Sequence, residues 1–311
     1  MNEENAGVSA FKRKDAASYD EVTDAFDRYT ERFTGAIAAR VVEIARLEPD
    51  ERVLDVGTGT GVVAFGASRR LTGTGNLVGI DFSDGMLKAA REKAQRAGSG
   101  GKLTFEKMDA EALTFADAAF DCVLSLYALR HFPRPDVALG QMRRVLRPGG
   151  RAVVAVGSAP PLFSSSGLSA AFRRVGSVVS GVLGKGDLLA CGYLNGLVEK
   201  HLPLADANEE AEWTKAHAMH GPVARMMQEA GFRDVRTTWT GQDGIVESKE
   251  DFWEVQVTFS SLARKRLATA PAAAIERLQQ EFDAGCIRTL AAGGRLRYPT
   301  GALVVTGNTP A

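Results

Sequence analysis

The stretch RVLDVGTGTG, residues 52–61, decides the fold. A short apolar run bounded by a turn signal reads as a buried strand, and Gly57, Gly59 and Gly61 follow it, spaced two apart. Lacking Cβ atoms, they let the backbone turn sharply and lie against a ligand at the strand's C-terminal end. Asp55 places a carboxylate at the head of the turn, where a dinucleotide site usually has no acid. The next strand, NLVGID, ends on Asp81, whose carboxylate can accept both hydroxyls of a ribose. A nucleoside-bearing ligand with an amino-acid tail fits this set better than a pyrophosphate does. A dinucleotide fingerprint counted from Gly57 meets Val62 where glycine or alanine belongs. Counted from Gly59 it ends on Ala64, so a nicotinamide cofactor is strained but stays open.

Working outward, the chain alternates strand and helix from residue 50, which predicts a parallel sheet covered on both faces. Strands are expected at 52–56, 77–81, 103–108, 120–125 and 151–157, with helices at 60–71, 83–97 and 135–147. Asp84 or Ser83 can cap the second helix, Pro135 suits the first turn of the third, and Pro148-Gly149-Gly150 stops it. Further on, GPVARMMQEAGF reads as a helix closed by Gly231, DVRTTWTG as an alternating strand and GALVVTG as an apolar strand. Residues 158–219 and 248–296 are too long to be loops in a compact domain; the second reads as two helices, around 252–266 and 272–290. Before the core, Tyr19, Phe26, Tyr29 and Phe33 fall at offsets that share one helical face.

Lys plus Arg and Asp plus Glu number 38 each, so no global charge favours nucleic acid. Three scattered cysteines, Cys122, Cys191 and Cys286, argue against a disulfide framework and for a reducing, cytoplasmic setting. The N-terminal residues carry no apolar signal region, and Arg173 and Arg174 interrupt the one membrane suspect, 162–183.

Four ordered motifs, VLDVGTGTG, VGIDFSDGMLKAAREKA, MDAEALTFADAAFDCVLSLYALRHF and ALGQMRRVLRPGGRAVVAV, resemble a class I S-adenosylmethionine-dependent methyltransferase. Within that class the chain is similar to the ubiquinone and menaquinone biosynthesis branch and its small-molecule relatives. The resemblance is dense over 50–157 and thin elsewhere. It implies an α/β, doubly wound, mostly parallel seven-stranded Rossmann-like sheet with helical cap insertions. Laid on the chain, this gives a flexible N-terminus (1–17), N-terminal lid helices (18–47) and a cofactor-binding core (48–157). A helical cap (158–219) follows, then the C-terminal part of the core (220–311) with its insertion at 248–296.

In this reading Gly57, Thr58, Gly59 and Gly61 approach the methionyl part of S-adenosylmethionine, helped by the helix N-terminus that follows. Asp55 orients the turn or meets the ammonium, Asp81 takes the ribose hydroxyls, and Phe82 and Met86 cover the adenine. The resemblance further implies that Asp109 accepts from the adenine amino group and the Ala110 N–H donates to the ring, while Ser125 and Leu126 sit where the fourth strand ends, beside the reactive sulfonium. His131, just past that strand, is the candidate general base; packing at the site's wall is its plainer role. Tyr19, Phe26, Tyr29, Tyr127 and Arg130 are candidate substrate contacts. His217 and His220 could share a face with Glu209 or Glu212, but the spacing is poor for zinc and no metal is expected.

The fourth strand reads Ser125-Leu126-Tyr127-Ala128, without the Asn/Asp-Pro-Pro-aromatic run of amino-methylating nucleic-acid enzymes. The expected activity is methyl transfer to a small, largely apolar, ring-bearing metabolite such as a quinol, phenol or polyketide-like compound. Nucleic acid and integral membrane association are not expected, and a homodimer is open. The alternatives are an NAD(P)-dependent oxidoreductase and a non-catalytic sensor or scaffold that binds the cofactor.

Overall fold

The computed structural model describes residues 3–99, 101–159, 186–190, 192–202 and 222–311. Among these, eight strands form one sheet: β1 (Arg52–Val56), β2 (Asn76–Asp81), β3 (Leu103–Lys107), β4 (Phe120–Leu126), β5 (Leu146–Gly157), β6 (Leu188–Leu189), β7 (Arg233–Val246) and β8 (Leu296–Asn308). The helices are α1 (Glu3–Asp20), α2 (Thr23–Ala45), α3 (Val62–Ser68), α4 (Asp84–Arg96), α5 (Pro135–Val145), α6 (Tyr193–His201), α7 (Val223–Glu229), α8 (Lys249–Phe259), α9 (Ser261–Thr269) and α10 (Ala272–Ala291).

Strands β3-β2-β1-β4-β5 pair in parallel, and β8 runs antiparallel between β5 and β7. The doubly wound sheet is therefore as expected, with one strand more than the seven anticipated. The cause is the length of β8. Its pairing with β5 ends at Ala302, and the two-residue β6 pairs in parallel at Leu296 and Arg297. That short strand satisfies backbone groups that would otherwise stay open at the edge.

Alternate residues of the central strands feed two cores. Val53, Cys122, Leu124 and Val153 pack with Ile37 and Val41 of α2, Val63 and Ala64 of α3, and Leu87 of α4. Leu54, Val56, Val123 and Val154 pack with Leu139 and Met142 of α5 and Val223 and Met227 of α7. Both faces of the sheet are thus covered by helices, which is why these strands read as continuous apolar runs. A third core, away from the sheet's centre, joins Tyr29 and Phe33 of α2 to Leu194 and Val198 of α6, Phe252 of α8 and Leu278 and Phe282 of α10.

Local chemistry sets the helix ends. The Ser83 hydroxyl accepts from the Met86 N–H at 3.1 Å, and Pro135 opens α5. Gly231, at φ +92°, closes the turn after α7. Three readings change. The segment 1–17, anticipated as a flexible end, is helical from Glu3 onward, as part of α1 (Glu3–Asp20). Residues 249–291 hold three helices rather than two, because Ser260 is extended and its hydroxyl caps α9 by accepting from the Ala263 N–H at 3.1 Å. The chain also turns at Glu21–Val22, so Tyr19 stands on α1 and not on the helix of Phe26, Tyr29 and Phe33. Of the anticipated cap 158–219, β6 and α6 are seen; Cys191, His217, His220, Glu209, Glu212 and all of 162–183 lie outside the described residues. Among the described residues no helix is long and apolar enough to cross a membrane.

Candidate active site

The site is built where β1, β2 and β4 end. After β1 the chain passes through Gly57, Gly59 and Gly61, with φ of 71°, 53° and 93°. This left-handed backbone is what demands glycine. A Cβ on Gly57 would also lie 2.1 Å from the Ala128 Cβ. The loop is tied to β2: the Gly57 and Thr58 N–H groups donate to the Ile80 carbonyl at 2.8 and 2.9 Å, and the Gly59 N–H donates to Asp81 Oδ2 at 2.8 Å. Asp81 Oδ1 accepts from the Phe82 and Ser83 N–H groups at 2.8 and 3.0 Å. Asp55 is buried and accepts from the Thr58 hydroxyl at 2.7 Å, so its visible role is to hold the turn.

Burial pushes the Asp55 carboxyl up to about 7, against the Thr58 hydrogen bond and with a further push from Asp81. Burial raises Asp81 too, over the opposing N–H bonds of Ser83, Gly59 and Phe82 and the charge of His131. Two desolvated acids thus act on each other beside the glycine loop, which favours a cationic ligand rich in donors and disfavours a pyrophosphate. The buried Thr60 hydroxyl in the same loop has no hydrogen-bond partner among the described residues.

Phe82 is half-buried with the Lys107 ammonium 5.7 Å from its ring centroid, and Met86 is buried beneath the start of α4. Asp109 and Ala110 follow β3. Asp109 Oδ1 accepts from the Glu111 N–H at 2.9 Å, and both Asp109 oxygens accept from Lys12 Nζ, at 3.0 and 2.7 Å. Lys12 also pairs with Glu111 at 2.7 Å, which in turn takes two hydrogen bonds from Arg134. Ser125, at the end of β4, is fully buried and its hydroxyl donates to the Val56 carbonyl at 2.9 Å, a link between β4 and β1.

His131 lies in the single turn Leu129–His131 after β4. Its Nδ1 is 3.1 Å from Asp15 Oδ2, and its Nε2 is 3.4 Å from the Tyr19 hydroxyl. Asp15 also accepts from Lys265 of α9 at 3.2 Å, and the Arg264 guanidinium stands 4.4 Å from the Tyr19 ring centroid. Tyr19 begins a run of aromatic contacts: Phe26 at 5.8 Å, then Phe259 at 5.5 Å, then Tyr298 at 5.7 Å between ring centroids. Phe26 faces Gly59, where a Cβ would meet its ring at 3.5 Å.

The other anticipated substrate contacts sit elsewhere. Tyr29 is buried in the third core with its hydroxyl donating to Glu254 at 2.7 Å, so it does not face the glycine loop. Tyr127, at φ 60°, turns its ring toward β5 and β8 and donates to the Gly301 carbonyl at 3.2 Å. Arg130 is exposed near Gly157. Lys12, Asp15 and Lys265 are additions that sequence reasoning missed. The spacing of Lys12, Asp15 and Tyr19 by three and four on one helical face was the available signal.

An acid-ended β2 facing a glycine loop after β1, in a parallel sheet completed by an antiparallel strand, defines an S-adenosylmethionine-dependent methyltransferase. The methyltransferase domain family matches residues 53–150. Ubiquinone/menaquinone biosynthesis C-methyltransferase UbiE of Pseudomonas putida is 33% identical over 221 residues, 70% of this chain and 77% of that protein. The enzyme of the same name from Citrobacter koseri is 32% identical over 229 residues, 71% of this chain and 80% of that protein. The solved YcgJ protein of Bacillus subtilis shares the fold, with a TM-score of 0.50 at 17% identity over 88% of this chain and 98% of that one. The chain belongs to the methyltransferase family of these ubiquinone/menaquinone biosynthesis C-methyltransferases.

Proposed function

We propose that this enzyme methylates a ring carbon of a small apolar quinol, and that His131 is its general base. The carrying observation is the place of His131: past the end of β4, 3.4 Å from Tyr19, where the aromatic run through Phe26, Phe259 and Tyr298 begins. Such a wall suits a flat ring with an apolar tail. The C-methyltransferase relatives supply the choice of carbon over oxygen or nitrogen.

S-adenosylmethionine supplies an electrophilic methyl group on a positively charged sulfur. In this reading Asp55 and Asp81 favour its cationic, donor-rich form, with the ribose hydroxyls on Asp81 and the methionyl end along Gly57–Gly61, where the Thr60 hydroxyl gains a partner. Phe82, Met86, Ala110 and Asp109 frame the adenine. Ser125 acts indirectly, by holding β4 against β1. His131 takes the proton of a quinol hydroxyl, and electron density moves to the neighbouring ring carbon. That carbon forms the new C–C bond as the S–C bond breaks with its electron pair left on sulfur. Loss of the carbon's own proton to solvent restores the ring. Positioning and the exclusion of water supply the remaining acceleration.

The test is transfer of labelled methyl from S-adenosylmethionine to a 2-prenyl-1,4-naphthoquinol kept reduced, alongside calorimetry with S-adenosylhomocysteine and NAD. Carbon-methylated product and binding of the first ligand alone are expected. Binding without transfer to this quinol or to simple phenols would favour a non-catalytic role, and tighter binding of NAD would overturn the cofactor.

A further inference from the structure

We propose that Asp15, carried by α1, is a positioning residue that fixes the tautomer of His131, so that the N-terminal helix is part of the catalytic apparatus as well as a cover. The inference rests on the reading of His131 as general base. Asp15 is 5% exposed, and its two oxygens are divided between two cations or potential cations: Oδ2 to His131 Nδ1 at 3.1 Å and Oδ1 to Lys265 Nζ at 3.2 Å. Burial acts to raise this carboxyl, but His131 and then Lys265 outweigh it and hold it below the usual carboxylate range.

An ionised carboxylate can only accept, so His131 Nδ1 must carry the proton of that hydrogen bond. In the neutral imidazole Nε2 is then the bare nitrogen, and it points at the Tyr19 hydroxyl. Burial, with Asp15 adding to it, pushes that phenol up to about 12, so Tyr19 stays a donor and completes a consistent set. The unprotonated nitrogen, which accepts from Tyr19, lies at the start of the aromatic run, and the charge that develops on the ring when it takes a proton is met by Asp15. This is the division of labour between an orienting acid and a histidine base seen in hydrolytic triads. Here the three residues come from segments far apart in the chain, since Asp15 lies 116 residues from His131 and 250 from Lys265.

Lys265 and Arg264 explain why α1 holds its place. Both project from α9, Lys265 onto Asp15 and Arg264 onto the Tyr19 ring and the Ser18 hydroxyl, the latter at 3.3 Å. Asp20, the last residue of the helix, completes the docking by accepting from the Ser83 hydroxyl at 2.5 Å and the Gly85 N–H at 2.8 Å. The insertion 248–296 thereby acts on the reaction through α1.

The deciding experiment is nitrogen-15 NMR of the imidazole of His131 in the intact protein with S-adenosylhomocysteine bound. The wild type should show the Nδ1–H tautomer, and Asp15→Asn should shift the population toward Nε2–H. An Nε2–H wild type, or a spectrum unmoved by Asp15→Asn, overturns the proposal whether or not an acceptor is in hand. With the prenylated naphthoquinol, Asp15→Asn should lower kcat about a hundredfold with KM for S-adenosylmethionine within about twofold, and Asp15→Glu should recover part of it. Equal losses in kcat and cofactor affinity would make Asp15 merely structural. His131→Gln separates the two readings. If it turns over like wild type, the base assignment itself fails; if it is inactive while Asp15→Asn is not, only the positioning role falls.

Discussion

The glycine cradle and the α1 face meet in one cleft but are held together in different ways. In the cradle the ties are short in sequence: Asp55 to Thr58 spans 3 residues and Gly59 to Asp81 spans 22. Across the cleft, Lys12 to Asp109 spans 97 residues, Tyr19 to His131 spans 112 and Asp15 to Lys265 spans 250. The first set is backbone-rich and rigid, fixed once β1 and β2 pair. The second is made of side-chain ion pairs and ring contacts on one helix, which can undock without disturbing the sheet. In the proposed reading the cofactor is held chiefly by the first set, and the second set brings α1 against His131.

The comparison breaks most completely at Gly57. Alanine there needs φ near 71° and a Cβ 2.1 Å from that of Ala128, costing about 2–5 kcal/mol and removing S-adenosylhomocysteine binding. Thermal melts and calorimetry read both; an unchanged variant would show that the cradle is not rigid.

A smaller effect follows from Asp55, whose carboxyl is pushed from 3.8 when unfolded to about 7 when folded. With the folded value raised, the stabilisation it gives is complete below about pH 4 and is lost as pH climbs through 7. Asp55→Asn keeps an acceptor for Thr58 and removes that slope. Between pH 5 and 8, urea midpoints should show the wild type losing about 2–3 kcal/mol relative to the variant. A constant difference would mean that Asp55 is not buried as described.

Lys12→Met tests the docked half. It releases Asp109 from Lys12, leaving Oδ1 with the Glu111 N–H and Oδ2 open to a ligand donor, while Arg134 still pairs with Glu111. S-adenosylhomocysteine should bind up to about tenfold tighter, with the gain shrinking in high salt. Weaker binding would mean that α1 supports the cofactor rather than competing with it at Asp109. The smallest change is expected from Tyr29→Phe, which deletes a hydroxyl bonded to Glu254 and Asp251 in the third core. About 1 kcal/mol of stability should go, with turnover unchanged; a lost acceptor KM would return Tyr29 to the substrate site.

The same contrast explains what the sequence made legible. The strands around β1 and β2, the Ser83 cap and Pro135 follow from neighbours a few residues away, and they stand within a few residues of their expected bounds. Residues 1–17 carry no apolar stripe and so read as loose; the helix they belong to docks through polar partners that include Asp109, His131 and Lys265. Tyr29 shared its offset with Phe26, but a spacing cannot say whether the neighbour is a cleft or the distant helices α8 and α10. The break between α8 and α9 depended on one serine turning extended, a choice made by its hydrogen bonds to Ala263 and Asn195.

Two of the cysteines are buried in different cores of the molecule. Cys122 lies within β4 and Cys286 within α10, and burial pushes both up to about 12. At pH 8 only about one such thiol in ten thousand is the reactive thiolate, and neither is open to a reagent while its surroundings stay closed. Alkylation at the two positions therefore runs as two clocks, one timing the opening of the sheet and the other the opening of the helical third core.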